Sequence, residues 1–308
     1  MDDVGRSPAL RGVIPVLETP FDAAEDLDVD SFTRLAEHAC AAGVDGVMFP
    51  GFASEFAKLA DDERVILEDR LIEVTRRHPD VTAVVSIPDH ATRLAVARAE
   101  RAVTAGADAL NVLPPSFLSP SRDSILEHLR AILLAVPHTP VMVQLAPALT
   151  GGALSASDLA GLAGEHQNLV SIKVETMPPG RTVEAITALA PALTCLAGYA
   201  GIHLPDALAR GAHGVQPGSS AVELYVTLWG HWTAGRHDEF HALHMRLLPY
   251  LSLWMTGVEY IVQVEKTISA RRGLIDSDIC RQPGYRLDRH DHRVIDEFLA
   301  EFADDWEA

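Results

Sequence analysis

The 308-residue chain has the composition of a soluble globular protein with a sizeable core, because 48% of its residues are hydrophobic and 22% are charged. Its formal net charge of −18, from 43 acidic and 25 basic residues, disfavours nucleic acids and anionic membranes as partners. Neither an apolar leader nor an apolar run of membrane-spanning length is visible, so a cytoplasmic protein is expected. The three cysteines are widely spaced and form no C-x-x-C motif, which argues against a disulfide scaffold or a zinc ribbon.

Short apolar runs alternate with longer helical patterns along most of the chain. The runs predict strands over residues 12–17, 44–49, 81–87, 109–113, 141–144, 169–174, 194–197 and 214–216. Helices are predicted over residues 31–42, 61–77, 92–105, 121–135, 155–165, 181–190 and 204–210. This alternation is typical of βαβ units and a parallel sheet. Eight strands favour an α/β fold of the (β/α)8 TIM-barrel type over an open Rossmann sheet, and no G-x-G-x-x-G motif follows the first strand.

A repeated turn between helix and strand supports the barrel. Gly43, Gly106 and Gly211 each end a helical pattern directly before an apolar run. A glycine can adopt the left-handed conformation that closes a helix, so we expect the same turn at all three positions.

The pattern becomes purely helical after the eighth strand. Helices are predicted over residues 237–255, 258–272 and 289–301. We therefore expect a barrel over residues 1–235 and a C-terminal helical region over residues 236–308 that packs on the barrel or mediates assembly.

Two ligand-rich segments of this tail are interpreted structurally. His237, His241 and His244 share helical spacing, but Asp238 stands where a zinc-protease helix requires glutamate, so a solvated helix face is the better interpretation. A metal-dependent enzyme that uses these histidines remains an alternative function. Asp288 is expected to cap the last helix. Neither a metal nor a cofactor is predicted.

Lys173 is the strongest candidate for chemistry. Active sites of (β/α)8 barrels lie at the C-terminal ends of the strands, and period-2 alternation in the sixth strand turns Ser171, Lys173 and Glu175 inward. Burial in a low-dielectric interior disfavours the ammonium form of a lysine, and a neutral amine can attack a carbonyl to form a Schiff base. The alternative is that Lys173 simply pairs with Glu175 or another inner carboxylate.

Further site candidates lie at the ends of the other strands. Gln144 faces inward from the fifth strand, and its amide can orient a substrate group but cannot relay a proton at neutral pH. The candidates for substrate binding are Glu18, Gly51, Phe52, Ala53, Ser54, Glu55, Ser116, Glu175, Tyr199 and Gln216.

Several segments resemble the dihydrodipicolinate synthase and N-acetylneuraminate lyase superfamily of class I aldolases and dehydratases. The resemblance runs from Gly12 to about Arg272. It includes the segment from Thr19 to Phe21, the Gly-Phe-Ala-Ser-Glu segment at residues 51–55, and the Arg-Gly-Ala-His-Gly-Val segment at residues 210–215. The Ser-Ile-Lys segment that ends at Lys173 looks like the Schiff-base motif of this family.

The chain departs from the family at its substrate-binding positions. Phe52 and Ala53 replace the two hydroxyl residues that bind the substrate carboxylate, and Gln144 replaces the proton-relaying tyrosine. Leu149 stands in place of an arginine, and a tyrosine that some members donate across a subunit interface aligns near Ser116. These departures argue against dihydrodipicolinate synthesis and against a recognisable pyruvate carboxylate site.

The resemblance implies a lyase that forms a Schiff base between Lys173 and a small oxo-compound, most simply a 2-oxo acid. The reaction is aldol cleavage, aldol condensation or dehydration, with Gln144 orienting the substrate. Glu18, Glu175, Tyr199 or water has to relay protons in place of the missing tyrosine. A homo-oligomer, tetramer or dimer, is also implied. A catalytically decayed barrel that binds a metabolite or a partner protein is the alternative.

Overall fold

The computed structural model of the protein describes residues 9–150 and 154–306. Eight parallel strands form one sheet in the order β1-β8-β7-β6-β5-β4-β3-β2. The strands are β1 (Gly12–Val13), β2 (Gly46–Phe49), β3 (Thr82–Ile87), β4 (Ala109–Val112), β5 (Val141–Leu145), β6 (Leu169–Val174), β7 (Thr194–Ala197) and β8 (Gly214–Val215). This order is that of a (β/α)8 barrel, and the predicted fold class is confirmed.

The helices follow the strands in the expected alternation. They are α1 (Val29–Ala41), α2 (Asp61–Thr75), α3 (Thr92–Ala105), α4 (Arg122–Ala135), α5 (Pro147–Thr150), α6 (Ala156–Glu165), α7 (Gly180–Leu189), α8 (Leu204–Ala209), α9 (Val222–Thr233), α10 (His237–Trp254), α11 (Val258–Arg271) and α12 (Arg289–Glu301). The sequence prediction contained neither α5 nor α9. Short 3-10 turns cover Phe52–Ser54 and Tyr199–Gly201, directly after β2 and β7.

The first strand is shorter than the predicted run of residues 12–17. Regular β1 ends at Val13, and Val16 makes isolated parallel bridges to Met48 and Gly218. Pro15 lies between them and has no N–H to donate, so the ladder is interrupted there.

The chain divides into two compact units by its contacts. The first unit consists of the described residues within 1–12 and 82–216. The second unit consists of the described residues within 13–81 and 217–308. The first contains β3 to β8 and the helices between them, and the second contains α1, α2 and α9 to α12. The predicted boundary at residue 235, between the barrel and the C-terminal helical region, remains a prediction.

The helix ends match their sequence signals. Gly43, Gly106 and Gly211 have φ values of 87°, 106° and 97°, so each adopts the left-handed conformation expected of the repeated turn. Asp288 caps α12 by accepting hydrogen bonds from the backbone N–H groups of His290, at 2.6 Å, and Asp291, at 3.0 Å. The predicted cap is confirmed.

Aromatic packing joins the C-terminal helices within the second unit. The ring centroid of Phe298 lies 5.2 Å from that of Tyr250 and 5.1 Å from that of Trp254. The Arg272 guanidinium lies 4.1 Å from the ring centroid of Trp306 and also pairs with Glu223 at 2.5 Å. Together these contacts attach α12 to α10 and α11.

Candidate active site

Lys173 is buried on β6, with its side chain 6% exposed. All six residues of β6 are buried, and Lys173 is in register with Gln144 of β5 and Leu196 of β7. The two neighbouring strands therefore present Gln144 and Lys173 at the same level of the sheet. Regular strand pairing thus brings together two predicted catalytic residues that lie 29 positions apart in the sequence.

A single carboxylate holds Lys173 and Gln144 together. The ammonium nitrogen Nζ of Lys173 lies 3.3 Å from Oε1 of Glu175, and Gln144 Nε2 donates to Oε2 of the same carboxylate at 2.6 Å. The three side chains are buried, so these charge-assisted contacts are shielded from water. This lysine–carboxylate–amide triad is the centre of the candidate active site.

The polar contacts continue beyond the triad into β4 and β3. Asn111 Nδ2 donates to Gln144 Oε1 at 3.1 Å and to Ser86 Oγ at 2.9 Å. Asn111 was not among the predicted site residues. Its signal in the sequence is a polar amide in the middle of the apolar run of β4, where Leu110 and Val112 flank it.

Glu175 packs directly against the backbone after β7. A Cβ atom added to Gly198 would lie 2.2 Å from Glu175 Cγ, so only glycine fits at this position. The next two residues, Tyr199 and Ala200, have φ values of 50° and 49°, a left-handed conformation that is unfavourable for side chains other than glycine. Burial, together with the charge of Glu175, raises the pKa of the Tyr199 phenol.

Gln216 and Ser116 occupy different environments. Gln216 is buried at the end of β8, where its backbone N–H donates to Ala197 O at 2.9 Å. Ser116 lies in a turn after β4, in which its carbonyl accepts from the N–H of Ser119 at 2.7 Å. Phe117 and Leu118 of this turn are both 85% exposed.

The loop after β2 is held by hydrogen bonds between side-chain hydroxyls and the backbone. Ser54 Oγ donates to Leu17 O at 2.5 Å and accepts from the N–H of Gly51 at 2.9 Å, while Thr19 Oγ1 donates to Ser54 O at 2.6 Å. Phe52 and Ala53 form the partly exposed part of this turn. The Ser54 hydroxyl is therefore committed to the loop, and its predicted contact with a substrate remains a prediction.

Glu55 is committed to an ion-pair network. Its carboxylate lies 2.5 Å from Nζ of the fully buried Lys266 and 3.0 Å from that of Lys58, and it accepts from the N–H of Arg281 at 3.1 Å. Lys266 also lies 4.4 Å from the ring centroid of Phe21 and donates to the carbonyl of residue 279 at 2.8 Å. Both oxygens of Glu55 are thus engaged: Oε1 with Lys266 of α11, and Oε2 with Lys58 and the N–H of Arg281. Its role in substrate binding stays a prediction.

Glu18 lies in a separate buried cluster of carboxyl and hydroxyl groups. Its Oε1 accepts from Ser269 at 2.9 Å and Ser219 at 3.4 Å, and its Oε2 has no hydrogen-bond partner among the described residues. Burial, followed by the charge of Glu265, raises its pKa to about 8. Burial also raises the pKa of Glu265, which accepts from the N–H of Ser220 at 3.1 Å. At neutral pH, Glu18 is therefore a neutral acid.

The tail histidines pack against aromatic rings. The His237 ring lies 4.7 Å from that of Trp232, and the buried His244 stacks on Phe240 at 6.1 Å. Within residues 9–150 and 154–306, no group of three His, Cys, Asp or Glu side chains is arranged to hold a metal ion. In the same ranges, no helix combines the length and the apolar character that a membrane crossing requires.

The fold is a (β/α)8 barrel with a buried lysine on its sixth strand. Residues 9–301 match the Dihydrodipicolinate synthetase family, and the chain belongs to this family. It is 31% identical over 294 residues to an uncharacterized DapA-like lyase of Halobacterium salinarum, with 95% of this chain and 94% of the relative covered. It is 30% identical over 285 residues to L-2-keto-3-deoxyarabonate dehydratase of Azospirillum brasilense, with 90% and 89% covered.

A solved structure shows the same fold. The crystal structure of YagE from Escherichia coli K12, in complex with pyruvate, superposes with a TM-score of 0.86 at 24% identity and covers 96% of this chain and 99% of that chain. Family and fold thus agree with the resemblance found in the sequence, and the protein is a lyase of the dihydrodipicolinate synthase type.

Proposed function

We propose that this chain is a class I lyase in which Lys173 forms a Schiff base with a small 2-oxo acid. The triad of Lys173, Glu175 and Gln144 is the observation that carries the proposal. A buried ion pair contributes little net stability, because desolvation of the two charges offsets most of their attraction. A purely structural lysine would therefore gain little at this position, whereas a nucleophile beside a proton acceptor gains reactivity.

Glu175 supplies the proton transfers that the amine needs. The Lys173 ammonium passes a proton to Glu175 Oε1 across 3.3 Å, and the neutral amine then attacks the substrate carbonyl. Further proton transfer gives a neutral carbinolamine, whose hydroxyl accepts a proton from Glu175 and leaves as water. The remaining iminium withdraws electrons from the adjacent carbon, so that a C–C or C–O bond can break.

Gln144 keeps the carboxylate in place during these steps. Its Nε2 holds Oε2 at 2.6 Å, which leaves Oε1 directed at Lys173. As a neutral amide it takes no proton itself. In this proposal Glu175, and not residue 144, is the acid and base of the site.

The test is covalent trapping. The protein is incubated with pyruvate, other 2-oxo acids, 2-keto-3-deoxy sugar acids and simple aldehydes, and borohydride is added before intact-mass measurement and peptide mapping. We expect an adduct on Lys173 that is absent in Lys173→Ala. Lys58→Arg is the matched control, because it changes a lysine in the ion-pair network and should keep the adduct.

The outcome separates the two candidate functions. An adduct on Lys173 supports imine chemistry, and products from the reactive substrate distinguish dehydration from aldol cleavage. A folded protein that gives no adduct with any member of this panel would contradict the proposal. It would favour a barrel that only binds a metabolite or a partner protein.

We also propose that the chain assembles as a homo-oligomer, a tetramer or a dimer. The exposed Phe117 and Leu118 support contact with another copy, because large apolar side chains at 85% exposure are costly in water. Sedimentation velocity of the purified protein tests this directly, and a monomer at micromolar concentration would contradict it. The expected cytoplasmic location stays a prediction.

A further inference from the structure

Asn111 is a polar residue at a fully buried position, where an apolar residue is usual. It is 0% exposed in the middle of β4, and its neighbours Leu110 and Val112 are also buried. Its Oδ1 has no hydrogen-bond partner among the described residues. A buried acceptor without a donor lowers stability, so Asn111 is retained at a cost to the fold.

The orientation of the amides in this cluster follows from Glu175. A carboxylate only accepts hydrogen bonds, so the Gln144 atom that faces Glu175 Oε2 at 2.6 Å has to be the nitrogen. Gln144 Oε1 then faces Asn111 and needs a donor, which Asn111 Nδ2 supplies at 3.1 Å. The second N–H of the Asn111 amide has its acceptor in Ser86 Oγ at 2.9 Å.

We propose that Asn111 is a positioning residue that holds the Gln144 side chain in place, so that its nitrogen reaches Glu175. Rotation of the Gln144 amide by half a turn would place Gln144 Oε1 against the carboxylate, where two acceptors repel each other, so Glu175 sets the orientation of this amide. Asn111 supplies the donor that holds Gln144 Oε1 at 3.1 Å. The orphaned Oδ1 of Asn111 is the structural consequence of this arrangement.

The catalytic consequence rests on the proposed function. If Glu175 exchanges protons with Lys173, a fixed Gln144 keeps one hydrogen bond on the carboxylate and keeps its other oxygen beside the amine. Without Asn111, Gln144 Oε1 loses its donor, so the Gln144 side chain is free to move and the carboxylate keeps its hydrogen bond for only part of the time.

The first test needs no substrate. Crystal structures of the wild type and of Asn111→Leu, which has similar side-chain size but no amide, report the position of Gln144. We expect the Gln144 Nε2 to Glu175 Oε2 contact to be lost or to lengthen beyond hydrogen-bonding distance in the variant. The melting temperature should change little, because the substitution removes the orphaned Oδ1 of Asn111 but leaves Gln144 Oε1 without its donor. An unchanged contact at the wild-type distance would overturn the proposal.

The second test measures the rate of borohydride-trapped adduct formation with pyruvate between pH 5 and pH 9. In Asn111→Leu we expect the trapping rate to fall by roughly tenfold, because the carboxylate is held less firmly beside the amine. Gln144→Leu should lower the rate at least as much. Adding Asn111→Leu to Gln144→Leu should then change nothing further, because the action of Asn111 runs through Gln144.

The two tests separate failure of this inference from failure of the proposed function. An equal fall in rate on adding Asn111→Leu to the wild type and to Gln144→Leu, or no fall in either, would overturn the positioning role while leaving imine chemistry intact. A wild type without any pyruvate adduct counts against pyruvate chemistry at Lys173. The position of Gln144 in the two crystal structures then decides the inference by itself.

Discussion

At the scale of single residues, Glu175 is the side chain on which the site depends. Its carboxylate contacts both Lys173 and Gln144, and it lies where Gly198 leaves room for it. In the sequence it was one of several carboxylates near the strand ends. Only the distance of 3.3 Å shows that this carboxylate lies beside the lysine nitrogen.

Glu175→Gln should slow Schiff-base formation without unfolding the protein. The amide has nearly the same shape but cannot take the proton of the Lys173 ammonium, so we expect the trapping rate with a reactive 2-oxo acid to fall by about 10²-fold or more. Glu184→Gln, an exposed change in α7, is the control and should keep the wild-type rate. A rate within twofold of wild type in Glu175→Gln would show that another group carries the proton.

At the scale of elements, the turn after β7 and the helix α11 each hold one candidate segment in place. The turn gives Glu175 its space, and α11 contributes Lys266 to the loop after β2. Both arrangements depend on close approach between segments far apart in the sequence. Each can be tested by one substitution with a matched control.

Gly198→Ala should destabilise the fold by about 1–3 kcal/mol, because the new methyl group overlaps Glu175 and forces it to move. The displaced carboxylate should also slow trapping at Lys173. Gly164→Ala in α6 is the control, since a Cβ there meets nothing within 4 Å and should stabilise the helix by up to about 1 kcal/mol. Urea unfolding of both variants measures the difference, and equal effects would contradict the packing argument.

Lys266→Met should destabilise the protein by about 3–5 kcal/mol, because it leaves Glu55 buried without its closest charge partner. Combining it with Glu55→Gln should restore much of the loss, since the uncompensated charge is then removed. Lys58→Met is the control. Lys58 also pairs with Glu55, at 3.0 Å, but its side chain is 15% exposed and its other partner, Glu259, is 52% exposed. We therefore expect a clearly smaller loss than for Lys266→Met. A similar loss for both lysine variants would argue against a special role of the buried pair.

At the scale of the whole molecule, buried acids couple the global stability to pH. Glu18 is protonated in the folded state up to a pKa of about 8, whereas in the unfolded chain it ionises near 4.5. Between pH 4.5 and pH 8, Glu18 of the folded protein therefore keeps a proton that Glu18 of the unfolded chain has released. The contribution of this proton to the free energy of unfolding is fully present below pH 4.5 and is lost as the pH rises through 8.

Glu18→Gln should flatten this dependence. Between pH 5 and pH 8, the wild type should lose up to about 4 kcal/mol of unfolding free energy through Glu18, and the variant should lose correspondingly less. Denaturant unfolding at pH 5, 6.5 and 8 measures the slopes. The exposed Glu100→Gln is the control and should follow the wild type. Parallel curves for Glu18→Gln and wild type would show that Glu18 does not hold the proton.

The sequence by itself determined those features that depend on local periodicity and backbone chemistry. Alternation in β6 predicted that Lys173 faces inward, and the residue is buried; three glycines in left-handed turns marked where helices pass into strands. The helix cap at Asp288 could also be predicted from the sequence, because a cap involves neighbours only two or three residues away. Local rules missed α9, and they extended β1 past Pro15.

The tertiary structure decided which polar groups are partners. Asn111 reaches Gln144 across 33 positions and Lys266 reaches Glu55 across 211, and no short pattern encodes either contact. Folding also determined that Glu55 and Ser54 bond to the protein itself and that Glu18 is buried as a neutral acid. The physical reason is that desolvation and pairing depend on everything that surrounds a side chain in space, whereas the sequence displays only its neighbours along the chain.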